Sequence, residues 1–333
     1  MPDPCAPALA ITRRSRQIAA LFTKPVARPT FSIITPSFRQ PDWLKLCAAS
    51  IADQEGVEIE HVVQDAGTDD IGVCGMEIAA ASGAAVIDPN GAETLRAQRP
   101  GYRLRLCVEK DKGMYDAVNR GLRKSTGEVC AYLNCDEQYF PGTLATVGDF
   151  FTKHPTVDVA FGDVVVTDSN GTYVCSRQAL TPRLWHTHAC TLCTFTAATF
   201  FRRSVFEKHG LFFSDEWRDI GDAAWVLELI RHRLRLATLG VFTSSFADTG
   251  ENMNLKPNAI AEQKRMFGSA PWLVQKAAPL WVAQFRLRKL LAGHYRPKPL
   301  NYAVFTHTSP ATREKFVVSK PTSLWASRLH GVR

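Results

Sequence analysis

LRLCVEKDKGMYDAVNRGLRKSTGEVCAYLNCDE, residues 104–137, is the stretch whose reading decides the fold. Leu104 to Val108 is a short apolar run that predicts a strand, Tyr115 to Lys124 has helical spacing, and Glu128 to Leu133 predicts a second strand running straight into Asn134-Cys135-Asp136-Glu137. Two strands joined by a single helix lie parallel in one sheet, because an antiparallel pair needs only a tight turn.

The same unit precedes it. Phe31 to Thr35 reads as a buried strand between Pro29 and Pro36, Pro41 to Gln54 as a helix, and Ile59 to Val63 as a strand ending in the turn-rich acidic cluster Asp65 to Asp70. The implied fold class is α/β: one domain with a mainly parallel central sheet flanked by helices. Ligands of such sheets bind beyond the carboxyl ends of the strands. The polar clusters Pro36 to Phe38, Asp65 to Asp70 and Asn134 to Glu137 all follow strand ends and should converge on one edge. Downstream, helices are expected at 144–151 and 216–233, strands at 157–166, 172–174 and 196–201, and helix from Asn258 onward.

Size and charge bound the reading. The 333 residues, 45% of them hydrophobic, can bury a large core. Residues 1–29 carry Arg13, Arg14 and Arg16 among several prolines, which suits a flexible arm better than a signal peptide or spanning helix. The main folded unit is expected at 30–252, followed by a basic, largely helical extension at 253–333. That extension has 14 Lys and Arg against 2 Asp and Glu, whereas residues 1–252 have 26 against 30. The excess positive charge of the chain therefore belongs to its last quarter. Nine scattered cysteines, several in apolar runs, argue against a disulfide framework and for a cytoplasmic protein. No run of about 18 uncharged apolar residues predicts a membrane crossing.

Asp136 and Glu137 follow a buried strand, where hard divalent cations find carboxylate oxygens and leave room for water and phosphate. In this context DKGMYDAVNRG at 111–121, TGE at 126–128 and LNCDE at 133–137 closely resemble the inverting family 2 glycosyltransferases of polysaccharide and lipopolysaccharide assembly, which have the A-type nucleotide-diphospho-sugar transferase fold. The resemblance runs from about Phe31 to Met253. It implies a nucleotide-sugar partner, a UDP-sugar before others, and a glycan or polyprenyl-linked acceptor. It further implies a Mn2+ or Mg2+ cofactor at Asp136 and Glu137, and donor contacts at Thr35, Pro36, Phe38, Asp65, Lys112, Gly113 and Asp136. Phe38 would flank the nucleotide base and Asp65 hydrogen-bond it. Asp222, in Ile220-Gly221-Asp222, falls on the position of the base that removes the acceptor proton. On sequence grounds alone Asp222 or Asp219 could equally cap a helix, and Asp65 could merely cap its turn.

The sequence departs from the family pattern at Asn134, where an acid is expected, and at Glu137, where Asp is. A catalytically inactive donor-binding module is thus one alternative. A nucleotidyltransferase is another, but Pro36 to Gln40 lacks a glycine-rich phosphate loop; no Gly-x-Gly-x-x-Gly supports a dinucleotide enzyme. Nucleic acid is not an expected partner. His186, His188, Cys190 and Cys193 raise a zinc site against an acceptor-side loop. Pro279 to Arg296 mixes Leu, Trp and Phe with Arg and Lys, a pattern fitting either peripheral contact with the inner membrane face or packing on the domain.

Overall fold

The computed structural model describes residues 30–88, 94–189, 192–250 and 257–325. The arm at 1–29, the boundary at Asn252 and Cys190 lie outside the described residues.

Thr30–Ser37 (β1) leads through Pro41–Ala52 (α1) to Glu58–Asp65 (β2), then through Ile71–Ala81 (α2) to Ala85–Asp88 (β3), Thr94–Arg99 (β4) and Tyr102–Val108 (β5). Met114–Lys124 (α3) crosses to Val129–Tyr132 (β6), followed by Glu137–Tyr139 (β7) and Thr143–Lys153 (α4). The next elements are Val159–Thr167 (β8), Tyr173–Arg177 (β9), Leu184–Ala189 (α5), Thr199–Arg202 (β10), Ser204–Glu207 (α6), Gly221–Arg231 (α7) and Leu236–Ala247 (β11).

The sheet runs β3-β4-β5-β2-β1-β6-β10-β8-β11-β7, with β9 also paired to β8. Its heart, β5-β2-β1-β6, is parallel, as the strand–helix–strand units demand. Antiparallel β10 then joins β6 to β8, so the mainly parallel description holds for the centre and gives way to mixed pairing toward both edges. Every residue of β6 and β8 is buried, since helices cover both faces. Close approach explains the Thr-Gly-Glu turn: a Cβ on Gly127 would sit 2.5 Å from the backbone nitrogen of Ser32.

Downstream the structure corrects the sequence expectation. Pro257–Gly268 (α8), Trp272–Lys276 (α9) and Ala278–Leu291 (α10) are helical, but Leu300–Thr306 (β12) and Ser309–Val318 (β13) form an antiparallel hairpin. The alternation of Tyr302, Val304 and Phe316 buries one hairpin face against Phe140 and Val165. Gln138 exchanges two hydrogen bonds with the backbone of Phe305, at 2.8 Å each, and Arg313 grips Asp53 through 2.5 and 2.7 Å contacts. Such bidentate pairing fixes orientation as well as charge. The hairpin part of the basic segment is thus packed onto the domain. Another difference is that the expected strand at 196–201 begins with a 3-10 turn, Thr196–Ala198.

Candidate active site

The strand ends do converge. Ser37 pairs with Asp65 and Asp65 with Val108, which brings the loops after β1, β2 and β5 to one level of the sheet. Leu133 donates its N–H to the carbonyl of Ile34 at 2.9 Å, and the Cys135 thiol reaches the Pro36 carbonyl at 3.3 Å. Asp136 therefore emerges beside the β1 loop.

Individual residues on this edge have different jobs. Phe38 is 52% exposed with the Arg39 guanidinium 4.9 Å from its ring centre, an open aromatic face at a ligand edge. Asp65, by contrast, is wholly buried and caps its own turn: it accepts the N–H of Gly67 at 2.8 Å and of Thr68 at 2.6 Å, and the Thr68 hydroxyl at 2.8 Å. These contacts are those of the turn-capping alternative. Thr35 is also buried, its hydroxyl 3.0 Å from His61 Nε2, so it floors the site from inside the sheet; Pro36 is buried too and offers only backbone. The fully buried His61 has its pKa pushed down to about 3 by desolvation, which keeps the imidazole neutral in this network.

Gly113 precedes α3 at φ +134°, a conformation that favours glycine. Its N–H goes to Asp111 at 2.9 Å, and that of Lys112 to Asp116 at 3.1 Å. These amides serve carboxylates of their own loop, leaving the exposed Lys112 side chain as the group able to reach a donor phosphate.

Asp136 and Glu137 part company. Asp136 is half-buried, and desolvation raises its pKa. Glu137 is completely buried: one carboxyl oxygen accepts the Asn134 N–H at 2.9 Å and the other has no hydrogen-bond partner. Burial first, the Asp136 carboxylate next and, more weakly, Asp222 all push its pKa up. The Asp136 carboxylate thus opposes ionisation of its buried neighbour Glu137, a repulsion that a cation relieves. Asp136 suits a hard divalent ion as a protein oxygen ligand, with other positions left to water or phosphate. One Glu137 oxygen braces the turn at Asn134, and the other is buried with no hydrogen-bond partner among the described residues. Among the described residues no group of three His, Cys, Asp or Glu forms a metal cage.

Asp222 lies at the start of α7 on the wall of a cavity of about 560 Å3, whose lining also includes Thr196, Asp219, His188 and Phe246. Asp136, Asp65, Phe38 and Lys112 are outside this lining. The link between the two regions is β11: Phe246 pairs with Glu137 and lines the cavity. The Asp222 backbone N–H donates to the Tyr115 hydroxyl at 3.0 Å, and one Asp222 carboxyl oxygen accepts the Ala223 N–H at 2.8 Å. Gly221 permits this, since a Cβ there would meet the Tyr115 ring at 2.5 Å. Burial raises the Asp222 pKa to about 6, against smaller opposing effects of its hydrogen bonds.

Glu262, on α8, is a site residue the sequence reading missed. Its carboxylate accepts the N–H groups of Arg218 at 2.8 Å, Asp219 at 3.0 Å and Ile220 at 3.1 Å, capping from afar the loop that presents Asp222. Asp219 is instead held by Asn258 at 2.9 Å. Burial would raise the Glu262 pKa, but the three backbone donors bring it below the ordinary value. Its stabilising effect is accordingly full above the unfolded glutamate pKa of about 4.3 and lost as pH falls through the lowered folded value. Glu262→Ala is expected to lower stability by about 2–3 kcal/mol at neutral pH, by urea unfolding, with a smaller loss at pH 3.

Other polar residues around the site have local partners. Arg202 donates to the Val157 and Phe151 carbonyls at 2.8 Å each, and Arg203 pairs with Glu207 at 2.8 Å, so both are structural. Thr199 borders a narrow recess behind Asp222 together with Tyr132 and Thr196. His186 stacks on Phe285 with ring centres 4.1 Å apart, His188 contacts Arg231 at 3.1 Å, and the Cys193 thiol donates to Leu180 at 3.0 Å. These three are spread over separate partners and do not form a zinc knuckle.

Comparison with known proteins agrees with this architecture. The family described as Glycosyl transferase family 2 matches residues 88–210. Over 146 residues the chain is 33% identical to the PGL/p-HBAD biosynthesis glycosyltransferase of Mycobacterium tuberculosis (strain ATCC 25177 / H37Ra), a stretch covering 44% of this chain and 50% of that protein. The same figures hold for the protein of that name from Mycobacterium bovis (strain BCG / Pasteur 1173P2); the chain thus matches about half the length of these relatives. Among solved structures, S. aureus TarS 1-349 in complex with UDP-GlcNAc superimposes with a TM-score of 0.53 at 17% identity, over 79% of this chain and 73% of that one. That likeness concerns the fold. Motif succession, sheet order and family match agree: over residues 88–210 the chain is similar to the family described as Glycosyl transferase family 2, and its sheet has the fold of the nucleotide-sugar transferase neighbours.

Proposed function

We propose that the protein transfers a monosaccharide from a nucleotide-diphosphate sugar, a UDP-sugar before others, to a hydroxyl of a glycan or polyprenyl-linked acceptor, with inversion, in surface polysaccharide or lipopolysaccharide assembly. The observation that carries this reading is Asp222: a half-buried carboxyl on a cavity wall, fixed by one backbone N–H, with its pKa raised to about 6. Such a base is ionised at neutral pH yet more basic than a solvated aspartate, which suits removal of a hydroxyl proton. Tyr115 and Glu262 hold it in place from either side of the chain.

The donor fits the strand-end edge. The exposed Phe38 ring offers a stacking surface for the base, and Lys112 a charge for the phosphates. A Mn2+ or Mg2+ ion held through Asp136 would act as Lewis acid for the departing diphosphate. That the fold neighbour TarS was solved with UDP-GlcNAc supports a uridine donor. The test is release of nucleoside diphosphate and transfer from a panel of UDP-, GDP- and dTDP-sugars; no turnover of any of them, with and without manganese, would reject the reading.

Peripheral attachment to the inner face of a cell membrane is part of the proposal. No helix among the described residues is long and apolar enough to cross a membrane. Trp272, Leu273, Leu280, Leu287, Leu290 and Leu291 on α9 and α10 are nonetheless all at least 54% exposed, and Lys276 and Arg286 lie on the same helices. Apolar side chains flanked by cations favour an anionic lipid surface. Vesicles containing phosphatidylglycerol are expected to sediment the full chain at low salt, and Leu287→Glu with Leu291→Glu to release it. Equal recovery in the supernatant with and without vesicles would remove this part.

A further inference from the structure

The lining of the cavity beside Asp222 also carries two cations that the proposed reaction does not use. Arg177 from β9 and Lys289 from α10 line it together with Phe285 and Tyr295. The Lys289 ammonium lies 5.8 Å from the Phe285 ring centre and 5.2 Å from that of Tyr295. Among the described residues neither Lys289 nor Arg177 ends in a salt bridge; Arg177 donates only to the Ser323 carbonyl, at 3.4 Å. Burial, and next the charge of Arg177, lower the Lys289 pKa, and the groups opposing that shift are thiols, not carboxylates.

Two cations that share a partly desolvated wall without an acid repel each other, and an anion bridging them removes the penalty. The donor groups assigned above, Phe38, Lys112 and Asp136, do not line this cavity, whereas the base does. We infer that Arg177 and Lys289 form an oxyanion subsite for a phosphate ester carried by the acceptor, holding it across the cavity from Asp222. A guanidinium and an ammonium from separate elements suit the near-dianionic charge of a phosphate monoester, and the adjoining aromatic rings suit its organic substituent. The acceptor part of this inference rests on the transferase reading; the anion site itself does not.

Phenyl phosphate, titrated calorimetrically into the full chain without metal, is the probe. Wild type is expected to bind it, more tightly at pH 7 than at pH 5 as the second phosphate proton leaves (pKa about 6). Lys289→Gln and Arg177→Gln should each weaken binding about tenfold, Lys289→Arg should retain it, and saturating UDP should not displace it. Unaltered melting temperatures identify a local effect, and the Arg177 variant provides a second route should the Lys289 variant fold poorly. Absence of wild-type binding, wild-type affinity in both glutamine variants, or competitive displacement by UDP would overturn the inference, the last by assigning the cations to donor phosphate. Normal transfer by Asp222→Asn alongside Lys289-dependent phosphate binding would instead refute the base and leave the anion site standing.

Discussion

Asp222→Asn is expected to cut sugar transfer about 100- to 10,000-fold while leaving the fold intact or slightly more stable. The amide oxygen can still accept the Ala223 N–H, so the start of α7 keeps its geometry. The folded carboxyl has its pKa raised to about 6 against about 3.9 for an unfolded aspartate. With that sign, stability falls as pH rises through the interval between those values, and at neutral pH ionised Asp222 is a net cost that asparagine does not carry. Asparagine keeps the Ala223 hydrogen bond and loses only the ionisable carboxyl, so a large loss of kcat with an unchanged or higher melting temperature assigns the loss to the chemistry and not to the fold. In wild type, kcat/KM should decline tenfold per pH unit below about 6. A variant that melts lower and transfers normally would return Asp222 to the capping role.

Asp136→Asn is the second large effect. If Asp136 holds the divalent ion, its amide should lower kcat by about two orders of magnitude and raise the manganese concentration needed for half-maximal rate, because Lewis-acid assistance is worth several kcal/mol. Glu137→Gln should act differently. Glu137 is buried, accepts the Asn134 N–H and has its pKa pushed up, so a neutral isostere retains its hydrogen bond. Its activity is expected within about tenfold of wild type. Equal losses in the two variants would show that both carboxylates coordinate.

How much of this was readable in advance depends on the range of the interaction. Strand-helix-strand order follows from local periodicity, so β1, β2, β5, β6 and the helices between them were legible, and strand-end placement then located Pro36 to Phe38 and Asp136 on one edge. The hairpin β12–β13 was not, because its basic, sparsely apolar sequence acquires a face only when Tyr302 and Val304 meet Phe140 and Val165. The same limit applies at the site. Asp65 looked equally suited to a base contact or a turn cap, and only the fold shows its three hydrogen bonds to Gly67 and Thr68. Glu262 was invisible because it acts 40-odd residues away in sequence, on backbone donors that carry no side-chain signature. Arg177 carries no signal in the sequence and Lys289 is one of several cations in the stretch 279–296; only the fold brings both to one cavity.

Gly221 is the local clue that deserved more weight. A glycine immediately before a candidate base signals close approach of another group, here the Tyr115 ring of the Asp-Lys-Gly-Met-Tyr motif. Through that contact and the Tyr115 hydroxyl, the motif assigned to donor binding also seats the base. The two halves of the proposed reaction are thereby joined by one side chain.

The most direct measurement is a crystal structure of the full chain grown with manganese and UDP, using anomalous scattering to locate the metal. The account predicts a manganese peak against the Asp136 carboxylate, the uracil ring over Phe38, and the diphosphate between that metal and the cavity bordered by Asp222. Nucleotide bound on another surface, or at this edge with manganese away from Asp136, would contradict it.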